Sequence, residues 1–460
     1  MPKNTKTKSK SKTKRKSDPF SGLPALNLNA AGIDIGSREH YVAVPSDRDP
    51  KPVQKFESFT CDLHRMADWL QACRIDTVAM ESTGVYWIAA YQVLESRGFK
   101  VCLVNARSIK NVPGRKTDVL DCQWIQTLHT FGLLNSSFRP QEDICVLRSY
   151  LRQRENLVSS AGTCIQHMQK ALIEMNLQIS NVISDISGKT GMAIIRAIVS
   201  GERDPYKLAK MRDARIVASV ETIAKSLQGT WRLELIFNLQ QALSLYDTYQ
   251  SKIIECNNRI QAHLQTFENN VDVTEKPLPP RKSSKRPTVH SPQIDLRDEF
   301  YRISGVDLTA IDGIDVITAQ TLISEIGLDM NRWKTEKNFA SWLGLCPDNR
   351  ITGGKVIKRG SRHVVNRASK ALRMAASTLR NSKSALGANF RRLRSRLGAP
   401  KAITAMAHKL ARLVYRMLKY GQQYVDKGLE YYEQKFREQR VKWFKKQAKE
   451  LNLQVVEQTQ

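Results

Sequence analysis

The chain has 460 residues and carries 73 Lys+Arg against 44 Asp+Glu, a formal net charge of +29. Residues 1–17 hold eight Lys/Arg and no acid; the remainder, with 65 against the same 44, keeps +21, so the folded body itself is basic. That balance favours a polyanionic partner, and with no run near the roughly 18 apolar residues of a spanning helix, nucleic acid is favoured over a membrane. The N-terminal Lys/Ser/Thr run has no apolar segment behind it, so no secretory leader is expected. Eight cysteines show neither CxxC nor zinc-type spacing, which fits reduced thiols in a cytoplasmic protein.

In chain order, residues 1–27 read as a disordered basic arm. From Ala31, AGIDIG and HYVAV alternate and are β-branched, which predicts a hairpin of two strands. Leu63 to Cys73 has helical spacing, TVAM (77–80) is a short strand ending at Glu81, and Tyr86 to Arg97 reads as helix. KVCLVN (100–105) is another strand and 116–134 another helix. This β-β-α-β-α-β-α order predicts a mixed α/β domain over 28–145. Two long amphipathic helices, 148–175 and 233–264, dominate a helical linker and assembly region over 146–268. Residues 269–300 concentrate Pro, Ser and Lys and read as flexible linker. A basic helical domain is expected over 301–421 and a helical extension over 422–460. The fold class is α/β plus all-α.

Four carboxylates stand out in the first domain. Asp34 lies within a strand between Ile33 and Ile35, where an ionised group is costly unless paired or bound to a cation. Glu81 ends the next strand, and Asp118 and Asp121 are three apart on a helix, so they face the same way. Arg115 and Lys116 stand just before that helix, within reach of phosphates. Such a cluster cannot stay fully ionised without cations, and hard oxygen ligands suit Mg²⁺ or Mn²⁺, which can clamp the oxygens of a phosphodiester. Singly, each acid is more ordinarily a cap or a solvated face; the order strand-Asp, strand-Glu, helix-Asp-x-x-Asp is what makes the set informative.

GIDIGSREHYVAV, AMESTGVYW and NARSIKNVPGRKTDVLDCQWI resemble the N-terminal domain of the DEDD-type insertion-sequence transposases, over roughly residues 30–190. The resemblance implies a RuvC-like, RNase H-type fold whose four acids fall on Asp34, Glu81, Asp118 and Asp121.

Further on, IDGIDVITAQ (311–320) has the form of a helix–hairpin–helix, in which Gly313 turns the backbone and exposes amides to a phosphate. Between Ile351 and Tyr420 there are 18 Lys/Arg and no acid, a window that calls for a polyanion. Within it, ITGGK sets the Thr352 hydroxyl before Gly353, Gly354 and Lys355. Glycines admit a phosphate closely, and a lysine neutralises it. Arg350, Lys358, Arg359, Arg362 and Arg367 are further candidate phosphate contacts. The spacing is not that of a P-loop.

Residues 308–395, with LGLCPDNRITGGK most recognisable, resemble the C-terminal domain of the same transposases. There a serine before a glycine attacks DNA and becomes covalently linked to it; here the matching residue is Thr352, a more hindered hydroxyl, with Ser361 as the alternative. The tail GQQYVDKGLEYYEQKFREQRVKWF resembles a branch of the family with a C-terminal extension. The resemblance implies donor and target DNA, an element-encoded guide RNA, a homo-oligomer (dimer or tetramer) and a bacterial, nucleoid-associated setting. A junction nuclease that uses water, or a non-catalytic nucleic-acid scaffold, are the competing readings.

Overall fold

The computed structural model describes residues 22–82, 84–105, 118–280, 296–358, 360–362, 364, 366–421 and 428–453. The chain divides into two compact units at Arg139/Pro140.

The first unit is built on a five-stranded mixed sheet in the order β3-β2-β1-β4-β5. Its strands are β1 (Ala30–Ile35), β2 (Glu39–Ala43), β3 (Val53–Glu57), β4 (Thr77–Glu81) and β5 (Lys100–Val104). β1 pairs antiparallel with β2 and β2 with β3, whereas β1–β4 and β4–β5 are parallel. The parallel centre is buried on both faces, as its near-continuous apolar sequence requires. One face packs Ile33, Ile35 and Met80 against Leu63, Met66 and Leu70 of helix Thr60–Ala72 and Leu94 of helix Trp87–Ser96. Each such side chain, fully buried, contributes ~1.5–3 kcal/mol. The other face carries Ala79 and Val104 under Trp124, Ile125 and Leu128 of helix Asp118–Thr130. β3 was not expected from the sequence. Only Phe56 of its five residues is buried, so this edge strand leaves almost no apolar alternation to read.

In the second unit, helices Glu142–Glu174 and Leu233–Leu264 pack along each other. They run antiparallel, since His263 contacts the Asp143 carbonyl at 2.8 Å, Arg154 Nε donates to Asn257 at 2.7 Å, and the Thr230 amide reaches Met175 at 2.8 Å. Helices Lys189–Val199, Pro205–Lys210 and Val220–Ser226 close one end through Ile194, Ile198, Leu208 and Ile223. At the other end Arg148 donates to the Ser324 and Glu325 carbonyls at 3.0 Å each, and Arg152 pairs with the Glu325 carboxylate at 2.9 Å.

Those carbonyls end helix Val316–Ile326, part of a helical cluster with Leu296–Ser304, Glu336–Trp342, Arg367–Thr378, Ala385–Leu397 and Ala399–Tyr420. Phe339 and Tyr415 are buried at its centre, and the Tyr415 hydroxyl donates to the Trp333 carbonyl at 2.8 Å. The region read as linker is ordered at both edges. The Asn270 amide donates to Arg302 at 2.8 Å, and the helix expected from 301 begins at Leu296. Among the described residues no helix is long and apolar enough to cross a membrane.

Candidate active site

In the first unit, strand register does the positioning. Ile33 pairs with Met80 across the parallel β1–β4 ladder, so one step further Asp34 stands level with Glu81. Gly32, two residues before Asp34, shares its face, as Ala79 shares that of Glu81. Both lie under helix Asp118–Thr130. A Cβ at Gly32 would run into the backbone of Cys122 and Gln126, so the helix rests directly on β1. Asp34 and Glu81 thus occupy the sheet face beneath this helix, while Ile33 and Ile35 enter the opposite core.

Asp121 stands on the helix that covers this sheet face, next in sequence to Cys122. Burial pushes the Cys122 thiol up to about 12, and the carboxylates of Asp34 and Asp121 both add to the rise. Asp118 stands one turn before Asp121, at the start of the helix, whose dipole favours negative charge there. Its side chain lies outside the described residues. Among the described residues no three His, Cys, Asp or Glu side chains meet closely enough to hold an ion. The donors nevertheless suit a hard divalent cation: all are carboxylate oxygens, and two stand on adjacent strands.

In the second unit, Thr352 ends β6 (Arg350–Thr352) and pairs with Lys355 of β7 (Lys355–Lys358). Gly353 and Gly354 have φ of 54° and 76°, the two left-handed residues of a type I′ hairpin turn. The glycines read as a phosphate approach are thus required by the turn itself. The hydroxyl, Lys355 and the apolar Ile351 and Ile357 are all exposed.

Ser361 lies elsewhere, bridging to Pro347, in a basin of about 310 Å³ with Arg362, Ser369, Lys370 and Arg373. Arg362 donates to the Ser341 carbonyl at 2.6 Å and to its hydroxyl at 2.9 Å, tying this loop to helix Glu336–Trp342. Arg367 pairs with Glu155 of the long helix. Gly313 has φ of +91°, and a Cβ there would come 2.7 Å from the Ala375 carbonyl, so close packing accounts for this glycine.

Two family profiles match the chain. One, a DEDD-type IS110 transposase, covers residues 31–176, and the other, described as "Transposase IS116/IS110/IS902 family", covers residues 307–391. The chain carries IS110-family transposase domains. It is also 29% identical over 116 residues to a "Probable family 20 transposase" of Pseudomonas aeruginosa, a match spanning 24% of this chain and 34% of that protein.

The first transposase match contains Asp34, Glu81, Asp118 and Asp121, and the second contains Gly313, Thr352 and Ser361. Arg115, Lys116 and Arg359 lie outside the described residues, as do the side chains of Arg350 and Lys358. Sequence reasoning passed over Ser37 and Arg38, which line a cleft of about 470 Å³ with Asp34. It also passed over Lys370 and Arg373, whose signal was the i, i+3 recurrence of cations after Arg367.

Proposed function

We propose that this chain is a DNA recombinase that moves its own insertion sequence. It cuts and exchanges strands through a covalent hydroxyl–DNA phosphodiester, guided by a non-coding RNA of the element and acting as an oligomer. The observation that carries this reading is the placement of Asp34 beside Glu81, under the helix that bears Asp118 and Asp121, in a chain that carries two transposase domains. The five-stranded order β3-β2-β1-β4-β5 is compatible with an RNase H-type domain.

Asp34, Glu81, Asp118 and Asp121 would hold Mg²⁺ or Mn²⁺, which when bound neutralises charge on the phosphate oxygens. Thr352 would supply the nucleophile. Its Oγ bonds to phosphorus as one ester P–O bond of the DNA breaks, its proton passes to a carboxylate or water, and the displaced oxygen takes up a proton from water and leaves as a hydroxyl. Exposure at the end of a hairpin suits a group that must reach a bulky substrate. Arg350, Gly353, Gly354, Lys355, Lys358 and Arg359 around it, and Arg115, Lys116 and Gly313, would contact phosphates. Arg362 and Arg367 would do so beside their structural partners. Ser361 is the second candidate nucleophile, favoured by Lys370 and Arg373 in its basin.

Trapping a denaturant-resistant protein–DNA adduct with Mg²⁺ tests the reading. Wild type and Thr352→Ser are expected to form it, and Thr352→Ala to lose it. An adduct retained by Thr352→Ala but lost by Ser361→Ala moves the nucleophile to Ser361. Strand cleavage without any adduct leaves a nuclease that uses water.

A further inference from the structure

The last helix, Gly428–Glu450, lies outside both matched segments. It packs on helix Ala385–Leu397 through Arg392, whose guanidinium carbon sits 3.7 Å from the Phe436 ring centroid and 5.3 Å from that of Tyr432. Tyr432, Phe436, Arg440 and Phe444 recur every four residues, so they form one stripe along the helix. Beyond Arg392 this stripe opens into a groove of about 480 Å³, lined by Arg392, Phe436, Arg437, Arg440, Val441 and Phe444, with Glu433 at its edge. Phe436 is 38% exposed and Phe444 45%, and the Arg440 guanidinium lies 5.6 Å from the Phe444 centroid.

Exposed rings at helical spacing ordinarily await another helix. The charge here argues against that occupant. Helix Ala385–Leu397 carries Arg391, Arg392, Arg394 and Arg396 without an acid, and the groove adds Arg437 and Arg440 against Glu433 alone. A second copy would set these cations against their own images, and like charges across an interface repel. An apolar partner would bury the Arg437 and Arg440 guanidiniums beside a single groove carboxylate, Glu433, which already pairs with Arg392 at 3.9 Å. An unpaired nucleic-acid strand meets both demands, because its base faces stack on rings and its phosphates neutralise arginines. A duplex offers phosphates but keeps its bases stacked on one another.

We propose that the groove between helices Ala385–Leu397 and Gly428–Glu450 is a binding site for single-stranded DNA. Bases stack on Phe436 and Phe444, and phosphates meet Arg437 and Arg440. The assignment to DNA rests on the reading of the chain as a recombinase; the stacking and charge argument stands on the groove itself.

The test uses full-length protein, fluorescein-labelled (dT)15, (rU)15 and a 15-base-pair duplex, with anisotropy read over a salt series. The double variant Phe436→Ala/Phe444→Ala is expected to bind (dT)15 about tenfold or more weakly, with duplex affinity unchanged, while Phe444→Trp keeps wild-type affinity. Arg437→Gln/Arg440→Gln is expected to flatten the slope of log affinity against log salt for (dT)15 by about 1.4. Unchanged (dT)15 affinity in the ring double overturns the proposal. So does an oligomer, seen by sedimentation, that the ring double dissociates while keeping (dT)15 affinity. A preference for (rU)15 above tenfold overturns the assignment to DNA. The adduct assay on the same preparations separates the two readings. An adduct with ring-independent (dT)15 binding sinks the groove alone, whereas ring-dependent binding without a wild-type adduct sinks the recombinase alone.

Discussion

The carboxylates of the first unit and the hydroxyl of the second are held in opposite ways. Asp34 and Glu81 are fixed by the register of a parallel ladder whose flanking residues are buried, with a helix resting on β1 at a glycine. Thr352 sits on a two-stranded hairpin, and a Cβ at either turn glycine would meet nothing within 4 Å. The first arrangement makes geometry inseparable from folding. The second makes it nearly independent of folding. On the proposed function, the carboxylates that would bind a compact ion gain from the rigid solution, and the hydroxyl that would approach a long polymer gains from the exposed one.

This contrast is open to attack by mutation. Asp34→Asn removes charge but little volume, and adduct formation in the trapping assay is expected to fall by about 10³-fold, with the thermal midpoint close to wild type. A midpoint that falls in step with activity would make Asp34 a structural residue. Gly32→Ala inserts a Cβ into the backbone of helix Asp118–Thr130, and urea titration is expected to show a loss of about 3 kcal/mol.

Glu336 gives a test within the second unit, away from the hairpin. Hydrogen bonds from Arg416 and Arg412 hold its carboxyl below the usual range against the opposing effect of burial. Because its folded pKa is depressed, the stabilisation is present above the unfolded value near 4.5 and is lost as pH falls through the folded value. Glu336→Gln is expected to cost about 2 kcal/mol at neutral pH in chemical denaturation, and the gap from wild type is expected to close on acidification. A gap that stays constant to low pH would assign the loss to packing. In Gly354→Ala the φ of 76° strains any side chain by about 1–2 kcal/mol, a cost expected to stay confined to the hairpin. The variant's adduct rate should fall while the thermal midpoint stays put; a falling midpoint would show that the hairpin is coupled to the core.

What the residues revealed beforehand follows the same division. β1, β4 and β5 were legible because a buried strand must be apolar, and helix Asp118–Thr130 because it covers one sheet face. The proximity of Asp34 to Glu81 was not, since it depends on the pairing of segments 47 residues apart, and register leaves no mark in composition. The hairpin around Thr352 escaped for the opposite reason. Ile351, Val356 and Ile357 are exposed on it, so no core imposes an alternation. Its Gly-Gly pair was read for what a phosphate would need, when it equally spells a type I′ turn. Arg362 and Arg367 looked alike as free cations, and only the fold reveals Ser341 and Glu155 as their partners.

The antiparallel helix pair has a mechanical consequence. A helix of 33 residues, Glu142–Glu174, is ~50 Å long at 1.5 Å per residue. A deflection of about 5° at its base swings its far end by ~4 Å, several times the ~1 Å misplacement that already slows a positioned reaction. The Arg148 and Arg152 contacts to Glu325 and Ser324 stand at that base. They brace the helix base against such a deflection.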